Sequence, residues 1–314
     1  MEKKQTCWVL TGPTASGKTA LSIRLAKEFG CEIICMDSMQ IYRGMNVGTA
    51  KPTEAEMDGV PHHMVDIADA TDAFSVSQYQ EMAERCAGEI FARGKQPLFV
   101  GGTGFYLRAL RSPMAMGVVA GDDALRDELQ QIADSEGGKE RLHRELAEVD
   151  PVTAQRLHVN DVRRVIRALE VYRLTGIPFS QQPEAEGEAR FDYRVASLTM
   201  DRALLYSRIE KRVDMMLDDG LIAEVKGLLD SGVPADAQAM KAIGYKEIVP
   251  YLAGEWTLDK AVYELKKGTR HYAKRQLTWM RREKDVLWVD ALQDDAYGKL
   301  AEFYTNQTED CPLP

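Results

Sequence analysis

The chain has 314 residues, about two domains' worth at roughly 100–200 residues each. Its 45% hydrophobic and 28% charged content is that of an ordinary globular protein and excludes a disordered chain, while no run approaches the ~20 apolar residues of a membrane span. The net charge of −9 speaks weakly against nucleic acid, but the average hides a basic stretch. Between Lys266 and Lys284, Lys266, Lys267, Arg270, Lys274, Arg275, Arg281, Arg282 and Lys284 stand against Glu283 alone, and local patches set the footprint for a polyanion.

Met1 to Thr6 lead directly into a strand pattern, so no signal peptide is expected. Cys7-Trp8-Val9-Leu10 reads as a first strand. A helix follows with Leu21, Leu25 and Phe29 on one face, stopped by Gly30. Glu32 to Met36 is a second strand, Ser75 to Arg93 a crossover helix, and Pro97 to Val100 a third, buried strand. This alternation predicts an α/β fold with a parallel sheet flanked by helices. After Pro113 the strand signals cease. Residues 117–191 read as an inserted all-helical domain, in which Asp161 caps a helix through Leu174 that ends at Gly176-Ile177-Pro178. Tyr193 to Leu198 returns to strand character, and the remainder reads as mostly helical with a polar tail beyond Thr305. The expected division is therefore 1–116 with 192–314 as core and C-terminal helices, and 117–191 as the insert. The five cysteines are odd in number and contain no C-x-x-C pair, which fits a reducing, cytoplasmic compartment. Cys31 and Cys35 flank a strand without a matching His/Cys cluster and read as structural.

The strongest chemical signal is Gly12-Pro13-Thr14-Ala15-Ser16-Gly17-Lys18-Thr19, a full G-x-x-x-x-G-K-S/T match with a strand before it and a helix after it. Such a loop turns backbone N–H groups onto phosphate oxygens at a helix N-terminus, Lys18 adds charge, and the Thr19 hydroxyl can ligate Mg²⁺. The core is thus P-loop NTPase-like. An ATPase would place an acid at a later strand end to hold the metal. Here the third strand ends Val100-Gly101-Gly102-Thr103-Gly104, without a carboxylate, and the acid follows the second strand in Met36-Asp37-Ser38-Met39-Gln40. In a parallel sheet both tips open on the crevice that holds the P-loop, so Asp37 and Thr103 are expected near whatever carries the diphosphate.

Two further helices carry ordered charge. From Arg202 to Leu217, Leu205, Ile209 and Met216 form an apolar sector with Arg212 at its edge and Arg208 one turn earlier. Such an arginine meets a diphosphate or reaches an internal carboxylate. After Asp161, Val162, Val165, Ile166, Leu169 and Tyr172 make one face, while Arg163, Arg164 and Arg167 gather on the other, suited to phosphates or to water. In the basic stretch, Val262, Leu265, Tyr272 and Met280 are expected to pack inward, with Arg270, Lys274 and Arg281 outside.

Several blocks in order resemble the bacterial tRNA dimethylallyltransferases. They are Gly12 to Thr19, Asp37 to Tyr42, Gly48-Thr49-Ala50-Lys51-Pro52, Val60-Pro61-His62-His63, and Gly101 to Tyr106. Asn160-Asp161, Arg167 to Glu170, Ala242-Ile243-Gly244-Tyr245, and Lys274-Arg275-Gln276 with Trp279 continue the likeness to about residue 290. Phe105 replaces the commoner leucine. The resemblance implies transfer of a dimethylallyl group from its diphosphate to N6 of the adenine just 3′ of the anticodon. Asp37 would act as base, Thr103 would orient the amine, and the P-loop with Lys18, Thr19, Mg²⁺, Arg208 and Arg212 would hold the pyrophosphate. It maps tRNA contact onto Asp37, Ser38, Met39, Gln40, Thr103, Arg126, Arg163, Arg164, Val165, Ile166, Arg167, Lys241, Ala242, Ile243, Gly244, Tyr245 and Lys246. The base would flip into a channel between core and insert, with the Gln40 amide placed to read its edge. The expected partners are tRNA and dimethylallyl diphosphate, with no membrane, and the chain is expected to act as a monomer. The zinc finger of eukaryotic relatives is not expected, because no His follows His271 and only Cys311 lies beyond it. His62-His63 with Asp66 lacks a third ligand at motif spacing and reads as structural.

Three alternatives share parts of this pattern. A P-loop kinase of a nucleotide or small metabolite shares the loop and an early acid, but gives no reason for the large insert or for Gly-Gly-Thr in place of an acidic strand end. A prenyltransferase acting on free AMP or ADP shares the chemistry without needing the insert. An RNA-binding GTPase switch would require an N-K-x-D motif, which is absent.

Overall fold

The computed structural model describes residues 4–112, 121–182 and 188–306; Cys311 and most of the polar tail lie outside them. In chain order the strands are β1 (Thr6–Thr11), β2 (Cys31–Cys35), β3 (His62–His63), β4 (Gln96–Val100), β5 (Asp192–Thr199) and β6 (Val286–Asp290). The helices before the insert are α1 (Lys18–Phe29), α2 (Glu54–Met57), α3 (Val76–Ala92) and α4 (Gly104–Arg111). Those of the insert are α5 (Asp123–Asp134), α6 (Gly138–Val149), α7 (Pro151–Arg156) and α8 (Val162–Thr175). The chain closes with α9 (Arg202–Asp218), α10 (Leu221–Asp230), α11 (Tyr245–Leu252), α12 (Leu258–Met280) and α13 (Ala296–Thr305). Two compact units result, 1–111 with 189–314, and 112–188. The seams differ by a few residues from those expected because α4 ends at Arg111, and Phe191 is buried in the core of the first unit.

The six strands form one sheet in the order β3-β2-β4-β1-β5-β6, and every recorded pairing between neighbours is parallel. Strand alternation divides its residues between two apolar layers. Cys7, Val9, Phe99 and Val195 face α3 and α4, packing with Tyr79, Ile90 and Leu107. Trp8, Leu10, Leu98 and Leu198 face the other way, against Leu25 of α1 and Leu300 and Tyr304 of α13. Tyr304 also donates its buried hydroxyl to the Val9 carbonyl at 2.6 Å. Two strands escape the sequence reading, so the strand expected third is the fourth in the chain. β3 has only two residues, too few for a pattern. β6 is the run Val-Leu-Trp-Val-Asp, whose short apolar pattern does not separate from the end of a helical stretch.

The insert packs Leu129, Leu142, Leu146, Val165, Ile166 and Leu169 into one cluster. Val165 and Ile166 are 1% and 6% exposed, so their side chains are core, and the expected RNA contact at these two positions is corrected to structure. Arg163 and Arg164 are exposed. Asp161 stands at the N-cap position of α8 but makes no capping hydrogen bond, its carboxylate lying 3.6 Å from Arg164 instead. Glu170, fully buried, accepts from Arg167 Nη1 at 2.6 Å and from the Asp122 amide at 2.8 Å, with Arg126 Nε at 2.9 Å. Burial alone would raise this carboxyl; the hydrogen bond from Arg167 and the charges of Arg167 and Arg126 hold it below the ordinary glutamate value. Arg126 and Arg167 are therefore braces of the helical unit. Glu170→Ala would leave them around an empty acceptor and is expected to cost about 3–5 kcal/mol, the loss for one partner of a buried ion pair. Denaturant unfolding of the two proteins measures it; a difference below about 1 kcal/mol would deny Glu170 that role.

Candidate active site

At the carboxyl edge of the sheet, the tips of β1, β2 and β4 meet. The P-loop leaves β1 and enters α1 through Gly17, which has φ 91°. Ala15 also takes a positive φ of 63°, a conformation costly for a residue with a side chain and typical of loops shaped for a ligand. The Lys18 ammonium donates to the Gly12 and Pro13 carbonyls at 2.9 and 2.8 Å. Ser16 is buried, and its hydroxyl is among the buried polar atoms without a protein partner in the described residues. An orphaned hydroxyl inside a curled amide loop fits a phosphate oxygen.

The β2 and β4 tips touch. A Cβ on Gly101 would stand 2.1 Å from the Met36 carbonyl oxygen, so only glycine allows the approach. The Thr103 amide donates to that same carbonyl at 3.2 Å, and the Thr103 hydroxyl accepts from the Ser38 amide at 3.0 Å. Asp37 lies between these contacts, half-buried, with Oδ1 accepting from the Met39 amide at 2.9 Å. α9 and α12 bring the remaining groups. Arg212 Nη1 is 3.5 Å from Thr14 Oγ1, and Arg208 Nη2 is 4.0 Å from the place a Cβ on Gly17 would take. Gln276 of α12 ties the loops together: its Oε1 accepts from the Thr14 amide and its Nε2 donates to the Gly102 carbonyl, both at 3.0 Å.

These groups surround a cavity of about 890 Å³, the size of a substrate pocket. Seven lysines and arginines line it, Lys18, Arg208, Lys211, Arg212, Lys241, Lys246 and Arg275, against a single carboxylate, Asp37. Burial, reinforced by Arg212, pulls Lys18 down to about 8, with Asp37 opposing the change. Burial likewise lowers Arg212, and Asp37 again opposes it. Charge of one sign held away from water seeks an anion.

Of the residues expected to bind diphosphate, Thr14 to Thr19, Arg208 and Arg212 line the cavity. Asp37, Ser38, Met39, Gln40, Lys241, Ala242, Ile243 and Lys246 line it too, whereas Thr103 stands one step back behind Ser38. The Gln40 amide is already committed, donating to the Thr49 and Ala50 carbonyls at 3.1 Å, so its role is to hold that loop rather than to read a base. Tyr245 is fully buried and donates its hydroxyl to Glu224, and Gly244 is also buried; neither presents a side chain to a ligand. Arg270 is half-buried and pairs with Glu210 at 2.5 Å, correcting its expected outward position.

His63 hydrogen-bonds Glu32, and Asp66 pairs with the buried Lys51, so both serve structure. Burial, with Asp37 adding, pushes the Cys35 thiol up to about 12. Among the described residues no three His, Cys, Asp or Glu gather into a metal cage. Mg²⁺ in phosphate sites needs few protein oxygens, and the Thr19 hydroxyl in the cavity suits such an ion.

Two contributors escaped the sequence reading. Gln276 is a buried polar residue on the apolar stripe of α12, four residues after Tyr272 and four before Met280, and that misfit was its only signal. Glu224 accepts from the amides of Asn46, Val47 and Gly48, shaping the cavity loop across more than 170 residues of sequence; nothing local marks it.

Comparison with known proteins agrees with this geometry. The IPP transferase family profile matches residues 40–283, and an isopentenyl transferase profile matches residues 5–72. A tRNA dimethylallyltransferase of Geobacter metallireducens is 50% identical over 294 residues, covering 92% of this chain and 94% of the relative. The crystal structure of a tRNA isopentenylpyrophosphate transferase from Bacillus halodurans aligns at TM-score 0.72 and 43% identity, over 97% of this chain and 96% of that one. A eukaryotic dimethylallyltransferase described as acting on tRNA aligns at TM-score 0.78 and 29% identity, over 98% of this chain and 82% of that one. The chain belongs to the IPP transferase family.

Proposed function

We propose that this chain transfers a dimethylallyl group from dimethylallyl diphosphate to the exocyclic N6 of the adenine 3′ to the anticodon of tRNA. The observation that carries the reading is the charge ratio of the cavity, seven cations to one carboxylate. That arrangement suits a diphosphate and a polyanion meeting beside a single proton acceptor. The kinship with tRNA dimethylallyltransferases supplies the substrates.

In the reaction the bond from N6 to C1 of the prenyl group forms as the bond from C1 to the diphosphate oxygen breaks. That electron pair leaves with pyrophosphate, and one N6 proton passes to Asp37. An exocyclic amine is a weak nucleophile, so a positioned carboxylate assists it. The Met39 amide fixes Oδ1 of Asp37 and leaves the second oxygen for the proton. Thr103, locked to Ser38, would orient the amine indirectly, by holding the loop that carries Asp37. P-loop amides, Lys18, Arg208 and Arg212 stabilise the charge growing on the leaving group. A Mg²⁺ ion held by the Thr19 hydroxyl and diphosphate oxygens would neutralise part of that charge. Lys241, Lys246 and Arg275 at the cavity, Arg163 and Arg164 on α8, and the exposed Lys274, Arg281 and Arg282 offer contacts to RNA phosphates.

The direct test offers labelled dimethylallyl diphosphate with total tRNA, AMP or ATP. Label is expected in tRNA alone; label in AMP or ATP and none in tRNA would replace the acceptor. Asp37→Ala is expected to lower turnover roughly 10²–10⁴-fold while gel-shift affinity for tRNA persists. Near-normal turnover would remove Asp37 as the base.

The pH dependence of pyrophosphate binding checks the lysine. Free Lys18 begins to lose its proton near 8, and a bound diphosphate favours the charged form. Above that pH, binding must therefore take up a proton, and affinity falls, approaching about tenfold per pH unit. Calorimetry on the wild type and on Lys18→Arg, which stays charged throughout, separates this from the titration of pyrophosphate itself. Parallel pH profiles in the two proteins would contradict the assignment.

A further inference from the structure

The apolar lining of the cavity belongs to two hydrophobic clusters, carried by different parts of the fold. Along α9, Leu204, Arg208, Arg212 and Met216 recur every four residues, and all four line the cavity. The arginines hold its middle, next to the P-loop. Toward Leu204, the neighbouring Ile209 belongs to a small cluster with Met200, Leu205 and Ala273. Toward Met216, the wall is backed by a larger cluster that includes Val213 and Leu265, each 2% exposed.

Met39 packs against that larger cluster as well, and its amide is the one that holds Asp37. The larger cluster is therefore tied to the proton acceptor, and the smaller is not. A diphosphate seated on Lys18 and Arg212 must hold C1 between those cations and the amine at Asp37. The carbons beyond C1 then need an apolar wall reachable from both. Met216 follows Arg212 by one helical turn, about 6 Å at 1.5 Å per residue, and Met39 follows Asp37 by two residues.

We infer that Met39, Met216 and Leu265 form the prenyl seat and limit it to a single isoprene unit, a reading that rests on the function proposed above. Leu265 and Val213 are packed from behind and close the floor. The two methionines, unbranched and gap-filling, occupy the depth that a second isoprene unit would need. Discrimination in an apolar pocket follows its volume, about 10–200-fold for a methylene-sized difference. Shortening either methionine should therefore admit the longer chain, and Met39→Ala keeps the backbone amide that holds Asp37.

The experiment measures kcat/KM for dimethylallyl and geranyl diphosphate with tRNA, in the wild type, Met216→Ala, Met39→Ala and Met215→Ala. Met216 and Met39 stand on separate elements, so one variant decides the matter if the other unfolds. Met215 also lines the cavity but is 53% exposed, outside the proposed seat. The geranyl to dimethylallyl ratio is expected to rise at least ~10-fold in Met216→Ala and Met39→Ala, and to stay near the wild-type value in Met215→Ala. An unchanged ratio in folded Met216→Ala and Met39→Ala, with dimethylallyl transfer intact, would overturn the seat and leave the proposed function standing. An equal rise in Met215→Ala would overturn the placement. A wild type that transfers neither group would remove the parent reading itself.

Discussion

Two positive charges held away from water, Lys18 and Arg212, are unfavourable until an anion joins them, and this constraint organises the centre of the active cavity. Arg212 and Lys18 are both drawn toward neutrality by burial; Asp37 opposes the trend at both, and Glu56 also does so at Arg212. Ordinary ion pairs neutralise other cations of the chain. Lys266 meets Asp214, Arg270 meets Glu210, and Lys51 meets Asp66. At the cavity Lys246 lies 3.7 Å from Glu247, but Lys18 and Arg212 share only Asp37 within the lining, and the further negative charge they call for must arrive with a bound anion.

Holding those groups in register falls to side chains from distant parts of the sequence. Gln276 joins the amide of Thr14 to the carbonyl of Gly102 across 262 and 174 residues of chain. Each such bond contributes only about 1 kcal/mol net, yet leaving a buried partner orphaned costs about 1–3 kcal/mol. The bracing matters more for placement than for stability. A P-loop held to the β4 tip keeps the leaving-group cradle at a fixed distance from the carboxylate, and alignment of reacting atoms is worth far more to a reaction than one hydrogen bond.

Much of this was visible in the sequence where the signal was local. The P-loop, the strands around Val9 and Val195, the Gly30 and Gly176 stops and the apolar face of α8 all follow from short-range rules. Arg208 and Arg212 could be paired by helical spacing, but sequence left open whether they meet a ligand or an internal acid. The structure turns both toward the P-loop. What stayed hidden was long-range. Glu224 and Gln276 act across the fold, and the commitment of Arg126 to Glu170 joins α5 to α8. Motif blocks also blurred roles inside themselves. Val165 and Ile166 share a helix with exposed arginines but point into the core, because a segment named as a unit still alternates faces every few residues. Gln40 was misread for a similar reason: its amide suits a base edge, and neighbouring carbonyls claim it first.

The clasp between the Lys18 ammonium and the carbonyls of Gly12 and Pro13 also bears on how a catalytic cycle ends. A cation stripped of both product and water would pull the pyrophosphate back. On the function proposed above, the two loop oxygens give the ammonium partners of its own to return to as the product departs. On that reading, the same curl of backbone serves both capture and release of the diphosphate, and the grip can be firm without becoming a trap.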